Sequence, residues 1–470
     1  MTQQALTTIC QILGEKYVLR GAEAKPWSQN WSGSVRWSPL AVLRPANTAQ
    51  VSEVLQVASE HELPVVPVSG NTGLTNGTEA ENALMLSLDR LNTIREVRPQ
   101  ARIAIVEAGV ILAQLHEAVD AHDLVFPLTF GARGSAMIGG ALSTNAGGSN
   151  VVRYGSTRGL CLGIEAVLAD GRILNLMSGV HKDNSGYDLR DLLIGAEGTL
   201  GIITAAVLKL APKPRAYLTA MVACRSIDDA VSLLNRLQME SGGAVEAFEY
   251  LPENYIAAHM ERFPGVRAPF EQRYEVNVFV EIGAVSKAQA MEDATGRISV
   301  AADLENTLED FFADGCVLDA VIAQNEAQRR EMWDRREAAA EISRLHSPFV
   351  DNDIAVPVDQ MQTLIERIEK RARDLDPGVQ FLNVAHLGDG NLHFSAWPST
   401  DNEETHEAIK RAVEEETIAL GGSFSAEHGV GLLKRQAMAL HKDPVAVDVM
   451  RAIKKSLDPK NILNPGKVLP

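Results

Sequence analysis

What this chain lacks narrows its reading first. Its four cysteines, Cys10, Cys161, Cys224 and Cys316, stand far apart in 470 residues and form no CxxC pair. A disulfide framework and a cysteine-based zinc site are both disfavoured, and a reducing cytoplasm is the default setting. No run approaches the ~18 apolar residues of a membrane span. Residues 1–19 are polar, carry Glu15 and Lys16, and lack the basic start, apolar centre and small-residue cleavage site of a secretory signal. Cytoplasmic localisation is the expectation. Basic charge is short as well: 44 Lys plus Arg against 61 Asp plus Glu leave a net charge of −17. That balance argues against nucleic acid and anionic membrane as partners, and an anionic substrate would need a local basic pocket. Neither usual nucleotide signature occurs, so a Rossmann NAD enzyme and a P-loop NTPase are disfavoured. There is no internal repeat or low-complexity tract.

What is present suits two or three domains with substantial cores, at 46% hydrophobic and 22% charged residues. The first half alternates helix and strand patterns. Asn47 or Thr48 can cap a helix whose Val51, Val54, Leu55 and Ala58 keep helical spacing. Strands are expected at 64–68, 83–88 and 103–107, a helix near 111–122, and a hairpin at 164–176 turning at Asp170-Gly171. Ala211-Pro-Lys-Pro-Arg215 reads as a linker. Beyond it come strand 217–224, helix 227–239, strands 244–250 and 275–282, a helical stretch over 287–312 and strand 316–323. That β-α-β-β-α-β order is ferredoxin-like. A long helix over 326–345 follows, and the turn-rich tail 458–466 lies close to no obvious core element.

Three segments are built for close backbone approach to a phosphate-bearing ligand. They are Pro67 to Leu74, Gly131 to Gly140 continuing through Ser143 to Gly148, and Gly195 to Gly201. Glycines let N–H groups converge on anionic oxygens, and Ser69, Asn71, Thr72, Ser135 and Asn145 add side-chain donors.

Two further segments carry metal-ligand chemistry: His386-Leu-Gly-Asp-Gly-Asn-Leu-His393 and Ser425-Ala-Glu-His-Gly429. Residues 381–387 and 392–397 read as strands around a Gly388-Asp389-Gly390-Asn391 turn. His386 and His393 then lie opposite or nearly opposite, on one face that Ser395 shares. Glu427 would complete two histidines and one carboxylate, a set known from catalytic divalent-metal sites, and His428 beside it could act as a base. Taken singly, each segment is equally a surface hairpin or an unrelated Glu-His pair.

These motifs in this order resemble the FAD-linked 2-hydroxyacid dehydrogenases of the vanillyl-alcohol oxidase superfamily. The nearest branch holds D-2-hydroxyglutarate dehydrogenase, D-lactate dehydrogenase and the glycolate oxidase flavoprotein subunit. The resemblance runs from about residue 36 to 470. Its carriers are PVSGNTGL at 67–74, IGGALSTNAGG at 138–148, RYG at 153–155, KDNSGYDL at 182–189, IGAEGTLGII at 194–203, HLGDGNLH at 386–393, SAEHGVG at 425–431 and DPKNILNPGK at 458–467. It implies an α+β fold. After an extension over 1–35, a two-lobed FAD-binding domain of the vanillyl-alcohol oxidase type spans 36–215. A ferredoxin-like substrate (cap) and metal domain spans 216–455, and a C-terminal segment over 456–470 returns to the flavin.

The resemblance implies FAD contacts from Pro67, Ser69, Gly70, Asn71, Thr72, Gly73, Leu74 and Leu128. Further along it implies Gly134, Ser135, Ile138, Gly139, Gly140, Ser143, Asn145, Gly147, Gly148, Arg153, Tyr154 and Gly155. Glu197, Gly198, Gly201, Ile202, Ile203 and Asn464 complete the set. Asn71 stands where some relatives attach the flavin through histidine, so FAD is expected to be non-covalent. One divalent metal is implied on His386, His393 and Glu427, zinc first, with manganese or iron as alternatives. His428 maps onto the base, Arg336 onto the arginine that fixes the substrate carboxylate, and Asn391 and Ser395 onto the substrate site. Where 2-hydroxyglutarate enzymes present a threonine and a lysine to the distal carboxylate, this chain has Ala340 and Asp351. A small D-2-hydroxy acid such as D-lactate is therefore favoured over D-2-hydroxyglutarate. The remaining expectations are a homodimer and an electron acceptor such as an electron-transfer flavoprotein, quinone or cytochrome. A flavin subunit of a glycolate oxidase complex and a flavin-free metal hydrolase are the alternatives.

Overall fold

The computed structural model describes residues 2–291 and 298–470. The chain divides into two compact units, one of residues 1–147, 155–212 and 427–470, the other of residues 148–154 and 213–426.

In the first unit, Ala41–Leu43, Leu84–Ser87 and Val65–Val68 form a parallel sheet, with Val18–Leu19 antiparallel at one edge. Helix Thr48–Glu60 starts where extended Asn47 accepts the Gln50 N–H through its side chain. Its Val51, Val54, Leu55 and Ala58 are wholly buried, as the spacing predicts. They share a core with Ala5, Leu6, Ile9 and Leu13 of helix Thr2–Leu13. The N-terminal segment is therefore part of this unit's core rather than an extension. A second, all-antiparallel sheet follows in the order Ile94–Arg98, Ile103–Glu107, Ile202–Lys209, Cys161–Val167, Ile173–Leu176.

The return to this unit begins at Glu427, earlier than the residue 456 expected. The reason is hydrogen bonding. The buried Glu197 carboxylate accepts the N–H groups of Val430 and Gly431 at 2.7 and 2.9 Å. The Leu432 N–H donates to the Thr75 carbonyl at 2.9 Å. Nor is the tail remote from a core. Asp458 accepts the Ile462 and Leu463 N–H groups, Leu463 pairs in parallel with Val65, and both side chains are buried.

The second unit has the ferredoxin-like order, with Val317–Ile322, Ala216–Cys224, Val276–Ala284 and Val245–Pro252 adjacent and every pair antiparallel. Helices Ile227–Ser241 and Ser299–Ala313 join its core. Of the helix expected over 287–312, residues 292–297 lie outside the described ones. The sheet continues through Val384–His386, Asn391–Trp397 and Val350–Ala355. That last strand was not foreseen, because Asp351-Asn352-Asp353 has no apolar alternation. The expected long helix over 326–345 is two, Glu326–Glu337 and Ala339–Ile342.

Candidate active site

In the first unit the glycine-rich loops meet backbone to backbone. Gly70 has φ +80°, and a Cβ there would stand 2.6 Å from the Ser135 carbonyl oxygen. A Cβ on Gly140 would stand 2.7 Å from the Ser69 carbonyl oxygen. Only hydrogen at these positions allows such proximity. Asn71, also left-handed at φ 53°, is anchored at both ends: Nδ2 donates to the Gln29 carbonyl and Oδ1 accepts from Thr78 Oγ1, each at 2.8 Å. Asn145 caps helix Ile138–Thr144 and accepts the Arg158 N–H at 2.9 Å. The Glu197 N–H reaches the Ser143 carbonyl at 2.8 Å. Burial pushes the Glu197 carboxyl up, against the two amides that stabilise its charge.

Two observations fit these loops to a ligand. Gly73, Gly131 and Gly134 face open space, with nothing within 4 Å of where a Cβ would be. Buried Asn464 donates to the Gly77 and Glu197 carbonyls at 3.1 and 2.8 Å, while its Oδ1 has no partner among the described residues. A ligand that offers donors and anionic oxygens suits this junction, as FAD does. Leu128, Ile202 and Ile203 are buried core residues. Arg153 and Tyr154 lie in the other unit, where both hold the Glu246 carboxylate, at 2.7 and 2.8 Å.

In the second unit the histidine hairpin forms as expected. His386 stands opposite Asn391 and His393 opposite Val384. The rings are therefore diagonal neighbours on one face, with centroids 5.2 Å apart. Across the other edge of strand Asn391–Trp397, Asp353 stands opposite His393 and Asp351 opposite Ser395. The alternate residues Ile354, Ala385, Leu392, Phe394 and Ala396 fill the core on the reverse face. Period-2 alternation thus collects the polar groups on one side.

Asp353 is buried, with an oxygen 4.0 Å from His393 Nδ1, and its side chain accepts Asn391 Nδ2 at 3.0 Å. Asn391 Oδ1 is buried without a hydrogen-bond partner among the described residues. Residues 423–426 run beside strand Val350–Ala355: Ser423 bridges Ala355, and the Ala426 N–H donates to an Asp353 carboxylate oxygen at 3.2 Å. The next peptide bond leads into Glu427 and His428.

Sequence reasoning missed Glu249 as well as Asp353. Glu249 is fully buried in strand Val245–Pro252, and the pairing of Tyr250 with Ala385 puts it on the face of His386. Its carboxylate accepts Arg336 Nε at 2.5 Å and lies 2.8 and 3.0 Å from His386 Nδ1. Burial favours its neutral form, yet its close contacts with His386 and the Arg336 guanidinium outweigh that and hold the carboxyl at about 2. Arg336 Nη2 also lies 3.3 Å from both His386 ring nitrogens. The acid set between Phe248 and Tyr250 was the available signal for Glu249, whereas Asp353, inside the polar run 351–353, offered none. Ser395 is buried, whereas Asp351 and Ala340 are exposed.

The two histidines, with Asp353 and the approach to Glu427, are a donor set that suits a divalent ion. Comparison with known proteins agrees with the flavin reading. Residues 39–177 match the FAD binding domain family and residues 213–468 the family of FAD linked oxidases, C-terminal domain. The chain is 35% identical over 98% of its length, and 80% of the relative's, to the mitochondrial D-2-hydroxyglutarate dehydrogenase of Arabidopsis thaliana. It is 32% identical to the D-2-hydroxyglutarate dehydrogenase of Stutzerimonas stutzeri (strain A1501), over 100% of this chain and 99% of that one. Among solved structures, p-cresol methylhydroxylase with substrate bound aligns with a TM-score of 0.73 at 17% identity, covering 99% of this chain and 96% of that one. That likeness shows the fold, the vanillyl-alcohol oxidase type. No helix among the described residues is long and apolar enough to cross a membrane. The chain belongs to the FAD-linked oxidases, and it is an FAD-dependent 2-hydroxyacid dehydrogenase.

Proposed function

We propose that the protein oxidises D-2-hydroxyglutarate to its 2-oxo acid, using non-covalent FAD and one divalent metal held by His386, His393 and Glu427. The observation that carries the metal is the pair of imidazoles on one polar sheet face, beside a strand segment whose next residue is Glu427. Zinc suits two nitrogens and one carboxylate best, with manganese or iron as alternatives. Bound FAD supplies a two-electron acceptor for the Cα hydride, and a bound metal supplies a Lewis acid for the hydroxyl oxygen.

The chain's own residues do the rest. His428 takes the hydroxyl proton as general base. Arg336 fixes the C1 carboxylate with a charge-assisted fork. Asn391, whose Oδ1 is buried without a hydrogen-bond partner among the described residues, lines the substrate site. Pro67 to Leu74, Gly134 to Asn145 and Asn464 hold FAD, and Asn71 offers no nucleophile for a covalent link. Electrons then pass to an acceptor such as an electron-transfer flavoprotein, quinone or cytochrome. Four unpaired cysteines support a reducing, cytoplasmic setting.

The substrate reading rests on the names of relatives aligned over nearly the whole chain. A second reading, D-lactate or another small D-2-hydroxy acid, has one observation behind it. Asp351 stands opposite Ser395, its Cβ directed to the polar face, where a second carboxylate would meet like charge. The test is a substrate panel with an artificial acceptor, run before and after chelation. Turnover should vanish with the metal while the yellow chromophore stays bound. His428→Ala should cut turnover by about 10²–10⁴-fold and retain metal. Full activity in metal-free enzyme would end the metal reading; a colourless protein would point to a hydrolase instead.

A further inference from the structure

We propose that Glu249 is a positioning residue shared by both halves of the site. It fixes His386 Nδ1 so that Nε2 is the nitrogen offered to the metal. It also fixes Arg336 Nε so that the terminal nitrogens of the guanidinium are offered to the substrate carboxylate. The inference rests on the metal and substrate roles proposed above, and goes beyond them in naming what orients both groups.

Three observations carry it. First, Glu249 is placed by the sheet rather than by a mobile loop, one residue from Tyr250, which pairs with Ala385 beside His386. A group on a rigid strand holds its partners more closely than one on a loop. Second, an ionised carboxylate only accepts hydrogen bonds. Its approach to 2.8 and 3.0 Å therefore requires the proton of a neutral His386 ring on Nδ1, which leaves the lone pair on Nε2. Metal-bound histidines have this outer partner almost always, because it fixes tautomer and ring orientation and raises ligand basicity. Third, Glu249 also accepts Arg336 Nε, at 2.5 Å. A guanidinium held at Nε keeps its planar fork in one orientation. A purely structural ion pair would account for Arg336 but not for the histidine, and one buried anion between the two couples them.

The test uses FAD-loaded enzyme stripped by chelator and reloaded with Zn²⁺ alone, with affinity read by competition against a chromogenic chelator. Glu249→Ala should weaken Zn²⁺ binding by about 10–100-fold. Glu249→Gln should weaken it less, because its amide oxygen still accepts from Nδ1, and Glu249→Asp should restore part of the loss. FAD content should stay at the wild-type level throughout. KM should rise in Glu249→Ala for every 2-hydroxy acid, since Arg336 contacts the carboxylate common to them. Should Glu249→Ala fail to fold, the near-isosteric Glu249→Gln carries the same criterion. A folded variant whose Zn²⁺ affinity and KM stay within about twofold of wild type overturns the role of Glu249 and leaves the metal site standing. A wild type that binds no Zn²⁺ overturns both.

Discussion

Exchanging Gly70 for alanine, with Gly73→Ala beside it, separates what the glycine-rich loop over 67–74 does for the fold from what it is proposed to do for FAD. At Gly70 the backbone is left-handed, φ +80°, which costs an L residue about 1–2 kcal/mol. The new Cβ would stand 2.6 Å from the Ser135 oxygen, 3.1 Å from the Met137 nitrogen and 3.2 Å from the Ala136 Cα. All three are backbone atoms, so relief means shifting a turn rather than rotating a side chain, at about 1–3 kcal/mol. Reduced freedom of the unfolded chain returns about 0.4–1 kcal/mol. The net loss is about 1–5 kcal/mol, with a fall in Tm of about 2–4 °C for each kcal/mol. At Gly73 a Cβ meets nothing within 4 Å, and the residue is exposed. Gly73→Ala should leave the Tm of FAD-free protein unchanged and weaken FAD binding by about tenfold or more, as the methyl enters the ligand's space. Differential scanning calorimetry without FAD and flavin fluorescence titration read the two effects apart. A Gly70→Ala protein with wild-type Tm would refute the close approach of the loops. Unchanged FAD affinity in Gly73→Ala would show that the open side at Gly73 is not where the ligand lies.

Acid precipitation should release the whole yellow chromophore into the supernatant, because Asn71 offers no attachment; colour left in the pellet would show a covalent link. Stability should depend on pH through Glu197. Its folded pKa lies above the ordinary 4.5, so the folded state holds the proton more tightly. The associated stability is full below about 4.5 and is lost as pH rises towards the raised value. Denaturant titrations should show this slope, and Glu197→Gln should flatten it; an identical slope in the variant would assign it to other groups. Asp351 is exposed, so its like-charge penalty on a dicarboxylate is only about 0.3–1 kcal/mol, and Asp351→Lys should favour D-2-hydroxyglutarate over D-lactate by about 2–5-fold in relative kcat/KM. No change in that ratio would place the distal carboxylate elsewhere.

The features legible in the sequence were those set by neighbours along the chain. The Gly388 to Asn391 turn brings His386 and His393 to one face because strand alternation has period 2, and this needs no distant information. Helical spacing placed Val51, Val54, Leu55 and Ala58 inside, and the order of patterns beyond the linker was enough for the ferredoxin-like sheet. Glycine clusters marked the loops that meet backbone to backbone, because only glycine tolerates such close approach. Tertiary structure decided the partners. Asp353, rather than Asp351, stands opposite His393 because the register of two strands some forty residues apart says so, and a slip of one residue would have turned both away. Glu249 reaches His386 across 137 positions of sequence, and no local pattern records that pairing. The tail was misread for the same reason: Ile462 and Leu463 have no amphipathic period of their own, and they are buried because Asp458 and the edge of strand Val65–Val68 capture their backbone. Local geometry chooses a residue's face, but only long-range strand pairing and burial choose what that face meets.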